Sequence, residues 1–358
     1  MYRFGAKLAV AEQGETKHGA RGSDGHIYAA IDLGTNNCRL LVARPAGAGF
    51  RVVDAFSRIV RLGEGVDGSL RLSAEAMDRT IDALEVCADK MRRRKVTRAR
   101  CVATAACRRA ENCDEFLHRV NQEAGLFLET ITAEEEATLA VAACRPLLTP
   151  EARFALVFDI GGGSTELIWA RHDAAGQVEP IAFTSLPLGV VAIAERHGSG
   201  DFSTVQYEAL VETIAVELRA FEADNGINRR ISEGGVQMIG TSGTVTTLSG
   251  VHLGLERYDR QRVDGLWLSF EDARRAAEQL RNMKLEQRAA HPCIGRGRAD
   301  LVVAGCAILE AIRQTWPTDR LRVADRGVRE GLLLSLMGRD QGAPPPLSLP
   351  PLPHGAGQ

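Results

Sequence analysis

Runs of apolar residues and the turns between them divide the chain into two stretches of similar design. The first opens with strand-like segments at 28–32, 38–44, 50–57 and 58–62, with Ala46-Gly-Ala-Gly49 as a hairpin turn. Ser73 then stands as a helix N-cap before Met77, Ile81, Leu84, Ala88 and Met91, which recur at helical spacing. Arg92-Arg-Arg-Lys95 ends that helix, where cations suit the macrodipole. A strand at 99–104, a helix at 114–124 and a strand at 127–131 follow, and Thr132 precedes Glu134-Glu-Glu136, whose carboxylates suit a helix first turn. The second stretch starts with strands at 154–159, 165–171 and 178–184, turning at Asp173-Ala-Ala-Gly176. Ser203 and Gln206 form a capping box ahead of Leu210, Ile214, Leu218 and Phe221, and Asn225-Gly226 closes that helix. The strand Val236-Gln-Met-Ile239 runs into the small-residue segment Gly240-Thr-Ser-Gly-Thr244, and helices near 270–283, 299–315 and 327–337 finish the pattern. Strands alternating with helices predict an α/β fold.

The two stretches share a motif. Asp32-Leu-Gly-Thr-Asn-Asn37 is echoed by Asp159-Ile-Gly-Gly-Gly-Ser164, each behind an apolar strand and ahead of another. A strand that ends in Asp-x-Gly sets a carboxylate beside a turn poor in side chains, and the N–H groups of such a turn can wrap an anion. Two copies predict two lobes gripping one phosphate-bearing ligand from both sides.

The bulk properties narrow this reading. With 358 residues and 45% hydrophobic content the chain can bury two cores. A net charge of −2 argues against nucleic acid as an obligate partner. The eight cysteines form no C-x-x-C pair and read as buried reduced thiols, not as a zinc site. No segment approaches the ~20 apolar residues of a membrane span, and the N-terminus lacks a secretory h-region, so no membrane association and a cytoplasmic location are expected. Residues 1–25 and the Pro-rich 339–358 read as disordered tails.

Four segments carry candidate chemistry. Asp32-Leu-Gly-Thr-Asn-Asn37 alone could be an ordinary hairpin turn. Three consecutive glycines after Asp159 would weaken an ordinary strand, so Gly161, Gly162 and Gly163 are better explained by close backbone approach to a ligand. Ser164 and Thr165 add hydroxyls there, and Glu166 a second carboxylate. Gly240, Thr241, Ser242 and Gly243 form a third small-residue segment at a strand end, where ligands gather in open α/β sheets. None of the three continues as Gly-Lys-[Ser/Thr], so none is a Walker A loop. In Glu134-Glu-Glu136 at least two carboxylates read as helix N-terminal charge; one could serve as a general base for water, and spacing alone does not choose it.

In this order the segments resemble the exopolyphosphatase and guanosine pentaphosphate phosphatase family, within the actin–hexokinase–Hsp70 superfold. Ala103-Thr-Ala-Ala-Cys-Arg-Arg-Ala-Glu-Asn112, Arg298-Ala-Asp300 and Asp325-Arg-Gly-Val-Arg-Glu-Gly331 extend the likeness over nearly all of 28–337. The resemblance implies two actin-like, ribonuclease H-like lobes with a cleft between them: residues 26–132, joined by a C-terminal helix at 326–338, and residues 133–325. Ile131-Thr-Ala-Glu-Glu-Glu-Ala137 matches the family segment that carries the catalytic glutamate and points to Glu136. Ala133 stands where the family has Gly, and Asn37 where it has Ser. By the same resemblance Gly34, Thr35, Asn36, Asn37, Gly161–Ser164, Thr165 and Gly240–Gly243 bind phosphate, while Arg108 neutralises developing charge. Asp159 and Glu166, with Asp32, hold Mg²⁺, and Glu136 orients the attacking water. The substrates implied are inorganic polyphosphate and guanosine pentaphosphate. A kinase of the same superfold and a nucleotide-binding actin-like module are the alternatives. A homodimer is compatible with the chain but not legible in it.

Overall fold

The computed structural model describes residues 25–47, 49–197 and 202–340. The expectations of disordered tails therefore lie, apart from residues 25, 339 and 340, outside the described residues.

The first stretch forms β1 (Tyr28–Leu33), β2 (Asn37–Ala46), β3 (Gly49–Ile59), α1 (Val66–Ser69), α2 (Ala74–Arg93), β4 (Arg98–Ala103), α3 (Ala105–Arg109), α4 (Cys113–Ala124) and β5 (Glu129–Thr130). Next come α5 (Ala133–Cys144), β6 (Phe154–Ile160), β7 (Thr165–His172), β8 (Val178–Leu186), α6 (Val190–His197), α7 (Thr204–Asn225), α8 (Ile227–Glu233), β9 (Val236–Thr241) and α9 (Ser242–His252). The chain continues through α10 (Arg260–Val263), β10 (Trp267–Ser269), α11 (Phe270–Arg281), α12 (Leu285–Ala290), α13 (Val302–Thr315), β11 (Arg320–Ala324) and α14 (Val328–Asp340).

The strands make two sheets, in the orders β3-β2-β1-β4-β5 and β10-β11-β9-β6-β7-β8. Without β10, the second repeats the first. In each, the central strand pairs antiparallel with the next in sequence and parallel with the fourth. The repeat reaches the turns: Gly34 N donates to Asn37 O at 2.9 Å, and Gly161 N to Ser164 O at 2.9 Å.

The central strands read as unbroken apolar runs because both faces are covered. Ala29 and Ile31 of β1 pack toward Met77, Ile81 and Leu84 of α2. Tyr28 and Ala30, on the other face, meet Leu332, Leu333 and Met337 of α14. Likewise Leu156 and Phe158 of β6 join the core beneath α7, α9 and α13, while Ala155 and Val157 face Ala137 and Val141 of α5. One turn along, Leu139 of α5 joins the cluster with α14 and the first sheet. That helix thus lies between the two sheets, with Glu136 in its first turn.

Several elements differ from the sequence pattern. Segments 50–57 and 58–62 are replaced by one strand, β3, ending at Ile59, and the strand at 127–131 shrinks to two residues. The segment 240–244 does not remain a loop, because α9 starts at Ser242. Its Ser and Thr residues are poor helix formers, yet the buried Thr246 and Ser249 satisfy their hydroxyls on carbonyls four residues back, at 2.9 and 2.8 Å. The helix α6 and the strand β11 carry no periodic signal strong enough to predict. All eight cysteines are free and buried.

Candidate active site

The two Asp-x-Gly turns meet face to face. Thr35, 7% exposed, wedges between them. A Cβ on Gly162 would lie 3.0 Å from Thr35 Cβ, and one on Gly163 would lie 2.7 Å from Thr35 Oγ1. These glycines are required by proximity to the Thr35 side chain, not by an unusual φ.

Beside the junction is a cavity of about 60 Å³, lined by Asn36, Asn37, Arg39, Gly161, Gly162, Ser242, Gly243 and Arg298, among others. The Oδ1 atoms of Asn36 and Asn37 are buried without a hydrogen-bond partner. An unsatisfied buried polar group costs about 1–3 kcal/mol, so these amides mark a cavity built for a polar occupant. Ser242 has φ 81°, rare for a non-glycine residue, and its Oγ donates to Ile160 O at 2.6 Å. Strain of this kind fixes the start of α9 against the second turn.

Arg39 and Arg298 approach each other here, and neither guanidinium makes a hydrogen bond or ion pair among the described residues. Burial first, and then the charge of Arg39, lowers the pKa of Arg298. Two neighbouring cations with free donors suit an anion with several oxygens.

Carboxylates also gather around the turns. Arg108 Nη1 donates to Glu136 Oε2 at 2.7 Å and to Ile131 O at 3.1 Å. The two side chains are 21% and 18% exposed. Burial pushes Glu136 well above the usual carboxylate range and Glu166 adds to this, while Arg108 opposes both. Glu166 is 2% exposed, and its Oε1 accepts from Ser164 Oγ at 2.6 Å and Ser185 Oγ at 2.8 Å. Its pKa is pushed up to about 7, by burial and then by Asp159. Asp159 accepts from Thr241 Oγ1 at 2.7 Å, and burial raises its pKa. Burial also raises Asp32, against the pull of Arg39 and Arg329.

Mutual repulsion among buried carboxylates is what a divalent cation would relieve, and Asp32, Asp159 and Glu166 offer the hard oxygen donors that Mg²⁺ takes. Among the described residues, no three His, Cys, Asp or Glu side chains form a ready-made cage.

Of the phosphate-binding candidates singled out in sequence, Gly34, Thr35, Gly163, Ser164, Thr165, Gly240 and Thr241 do not line the cavity. Thr165 Oγ1 donates to Leu188 O at 2.6 Å, inside the second lobe. A Cβ on Gly240 would lie 2.6 Å from Phe158 Cζ, so this glycine serves core packing. Gly34 shapes the first turn through its bond to Asn37 O. Sequence reasoning missed Arg39 and did not single out Arg298 for the cavity. The signal for Arg39 was present: in β2 it lies two residues past Asn37, on the same face. It also pairs with Asp32 as Glu166 pairs with Asp159.

Comparison with known proteins agrees with this geometry. The profile of the Ppx/GppA phosphatase family matches residues 41–340. "Exopolyphosphatase 2" of Mycobacterium tuberculosis is 32% identical over 324 residues, covering 87% of this chain and 98% of the relative. A guanosine-5'-triphosphate,3'-diphosphate pyrophosphatase of Aeromonas hydrophila is 32% identical over 322 residues, covering 88% of this chain but 60% of that longer protein. The crystal structure of the Aquifex aeolicus Ppx/GppA family member has a TM-score of 0.72 and 29% identity, covering 88% of this chain and 98% of its own. An exopolyphosphatase structure from Cytophaga hutchinsonii superposes with a TM-score of 0.79 at 24% identity, and so speaks to the fold alone. The duplicated sheets, the facing turns and these matches agree: the chain belongs to the Ppx/GppA phosphatase family.

Proposed function

We propose that the chain hydrolyses phosphoanhydride bonds, releasing terminal orthophosphate from inorganic polyphosphate and converting guanosine pentaphosphate to tetraphosphate. Membership of a phosphatase family disfavours the kinase alternative. The observation that carries the reading is a cavity at the facing turns with guanidinium groups at Arg39 and Arg298, joined through the buried Asp32, which feels Arg39, to the raised carboxylate of Glu136. An anionic chain lies on the guanidinium groups, and a water is worked on by the carboxylate.

The N–H groups of residues 35–37 and 162–164 hold the terminal phosphate, with Arg39 and Arg298 on the phosphates behind it. Glu136, its pKa raised first by burial, orients the water and takes its proton. Arg108 opposes that rise through their 2.7 Å contact and neutralises charge developing on the phosphoryl oxygens. Mg²⁺, held by Asp159 and Glu166 with Asp32, would neutralise the negative charge of the phosphate chain. Catalysis then rests on positioning and electrostatics.

Phosphate release from both substrates with Mg²⁺ is the direct test. Glu136→Gln should lower kcat by about 10²–10⁴-fold. Unimpaired release in that variant removes Glu136 as the base, and no release by the parent protein from either substrate refutes the assignment.

A further inference from the structure

The helix α6 spans the cleft as a strut. At its N-terminal end, Val190 N donates to Gly161 O at 3.0 Å and Val191 N to Gly162 O at 2.8 Å. At its C-terminal end, Glu195 Oε1 accepts from Gly65 N at 2.8 Å, and Arg196 Nε donates to Asp67 Oδ2 at 2.7 Å. One element thus holds the second glycine turn and, through its other end, the first lobe.

Asp67 has a second partner. Its Oδ1 accepts from Arg109 Nη2, and Arg109 is the last residue of α3, next to Arg108. The carboxylate is 16% exposed and bridges two guanidinium groups from different lobes. Arg196 first, and Arg109 with it, holds the carboxyl below its usual range, so it stays ionised at neutral pH. The segment around it is bent to shape: Arg61 has φ 48° and Leu70 φ 54°, both left-handed without glycine. Arg61 makes the second grip across the cleft, on Asp300 at 2.9 Å and on Gly297 O at 3.3 Å. A lone exposed ion pair contributes little. A carboxylate shared by both lobes, in a strained segment and paired with the neighbour of the catalytic arginine, is placed to do more.

We propose that Asp67 is a positioning residue, which couples closure of the second lobe, through Arg196, to the placement of Arg108 against Glu136, through Arg109. The proposal rests on the reading of Arg108 and Glu136 as reacting machinery. It adds a device that makes the site complete only when the lobes are closed.

Steady-state kinetics of Asp67→Asn, Arg196→Gln and their combination, with melting temperatures and small-angle scattering in orthophosphate, test it. Asp67→Asn should lower kcat about tenfold with KM within about twofold, and Arg196→Gln about threefold. The double variant should resemble Asp67→Asn alone, because both act through one clasp, and Asp67→Glu should recover part of the loss. Both single variants should show a larger radius of gyration than the parent. Unchanged kcat in Asp67→Asn, additive losses, or a loss matched by a lower melting temperature overturns the proposal. So does an unchanged radius of gyration, a readout that still decides if the parent hydrolyses neither substrate.

Discussion

Glu136 stands between opposing influences, and the balance is open to measurement. Burial and Glu166 raise its pKa; Arg108 lowers it. Activity that needs the ionised carboxylate rises with pH through that pKa. Replacing Arg108 by Gln removes the lowering influence, so the acid limb of the kcat/KM profile should move to higher pH as the maximum falls. A limb that stays in place, or moves to lower pH, would show that Arg108 does not govern this carboxylate. For Arg39→Gln and Arg298→Gln the expected change is in KM for polyphosphate, up about tenfold each, as for loss of a charged hydrogen bond. At this scale the chain was partly legible. Asp32 and Asp159 stood out because a repeated turn frames them, while Glu136 was picked from three glutamates only by the family resemblance of its segment. Arg39 and Arg298 did not, since an arginine in a strand or a glycine-rich connection reads as solvated until the fold brings the two together. Thr165 was misleading for a related reason: its neighbours line the turn, but the strand pleat directs its hydroxyl to Leu188.

At the scale of elements, close crossings decide what is tolerated. A Cβ on Gly331 would lie 2.2 Å from Leu139 O, where α14 crosses α5. The obstacle is backbone, so Gly331→Ala should destabilise by about 1–3 kcal/mol and lower the melting temperature. A Cβ on Gly189 would lie 2.2 Å from Gly162 O. Gly189→Ala should therefore push α6 off the second turn and reduce kcat by more than its loss of stability explains; equal losses in both would count against this. The strands at the centre of each sheet were plain in the sequence, because burial on both faces leaves apolar runs. The helix α9 was hidden, because its hydroxyl-rich residues signal a loop unless they can bond back to their own helix, as Thr246 and Ser249 do. The strand β11 was hidden as well: Arg320-Leu-Arg-Val-Ala324 alternates correctly but is only five residues long.

For the whole molecule, the duplicated plan matters most. The sheets share strand order, turn geometry and the placement of an acid at the end of the central strand, while the opposite residue differs, Arg39 in one and Glu166 in the other. The same position thereby brings a cation from one lobe and a carboxylate from the other. The first sheet is also completed from the far end of the chain. Leu332, Leu333 and Met337 of α14 cover Tyr28 and Ala30, and Leu332→Ala should cost about 2–5 kcal/mol, read as a lower denaturation midpoint.

This return has a consequence for how the protein comes into being. Tyr28 Oη donates to Asp340 Oδ2 at 2.7 Å, across 312 residues of sequence. During synthesis the first sheet emerges early but leaves much of one apolar face uncovered until α14 leaves the ribosome. The second lobe, whose core lies within residues 154–323, has all its parts sooner. The first lobe to be made is therefore the last to be finished, and in the interval its uncovered face is the part of the nascent chain most in need of a chaperone.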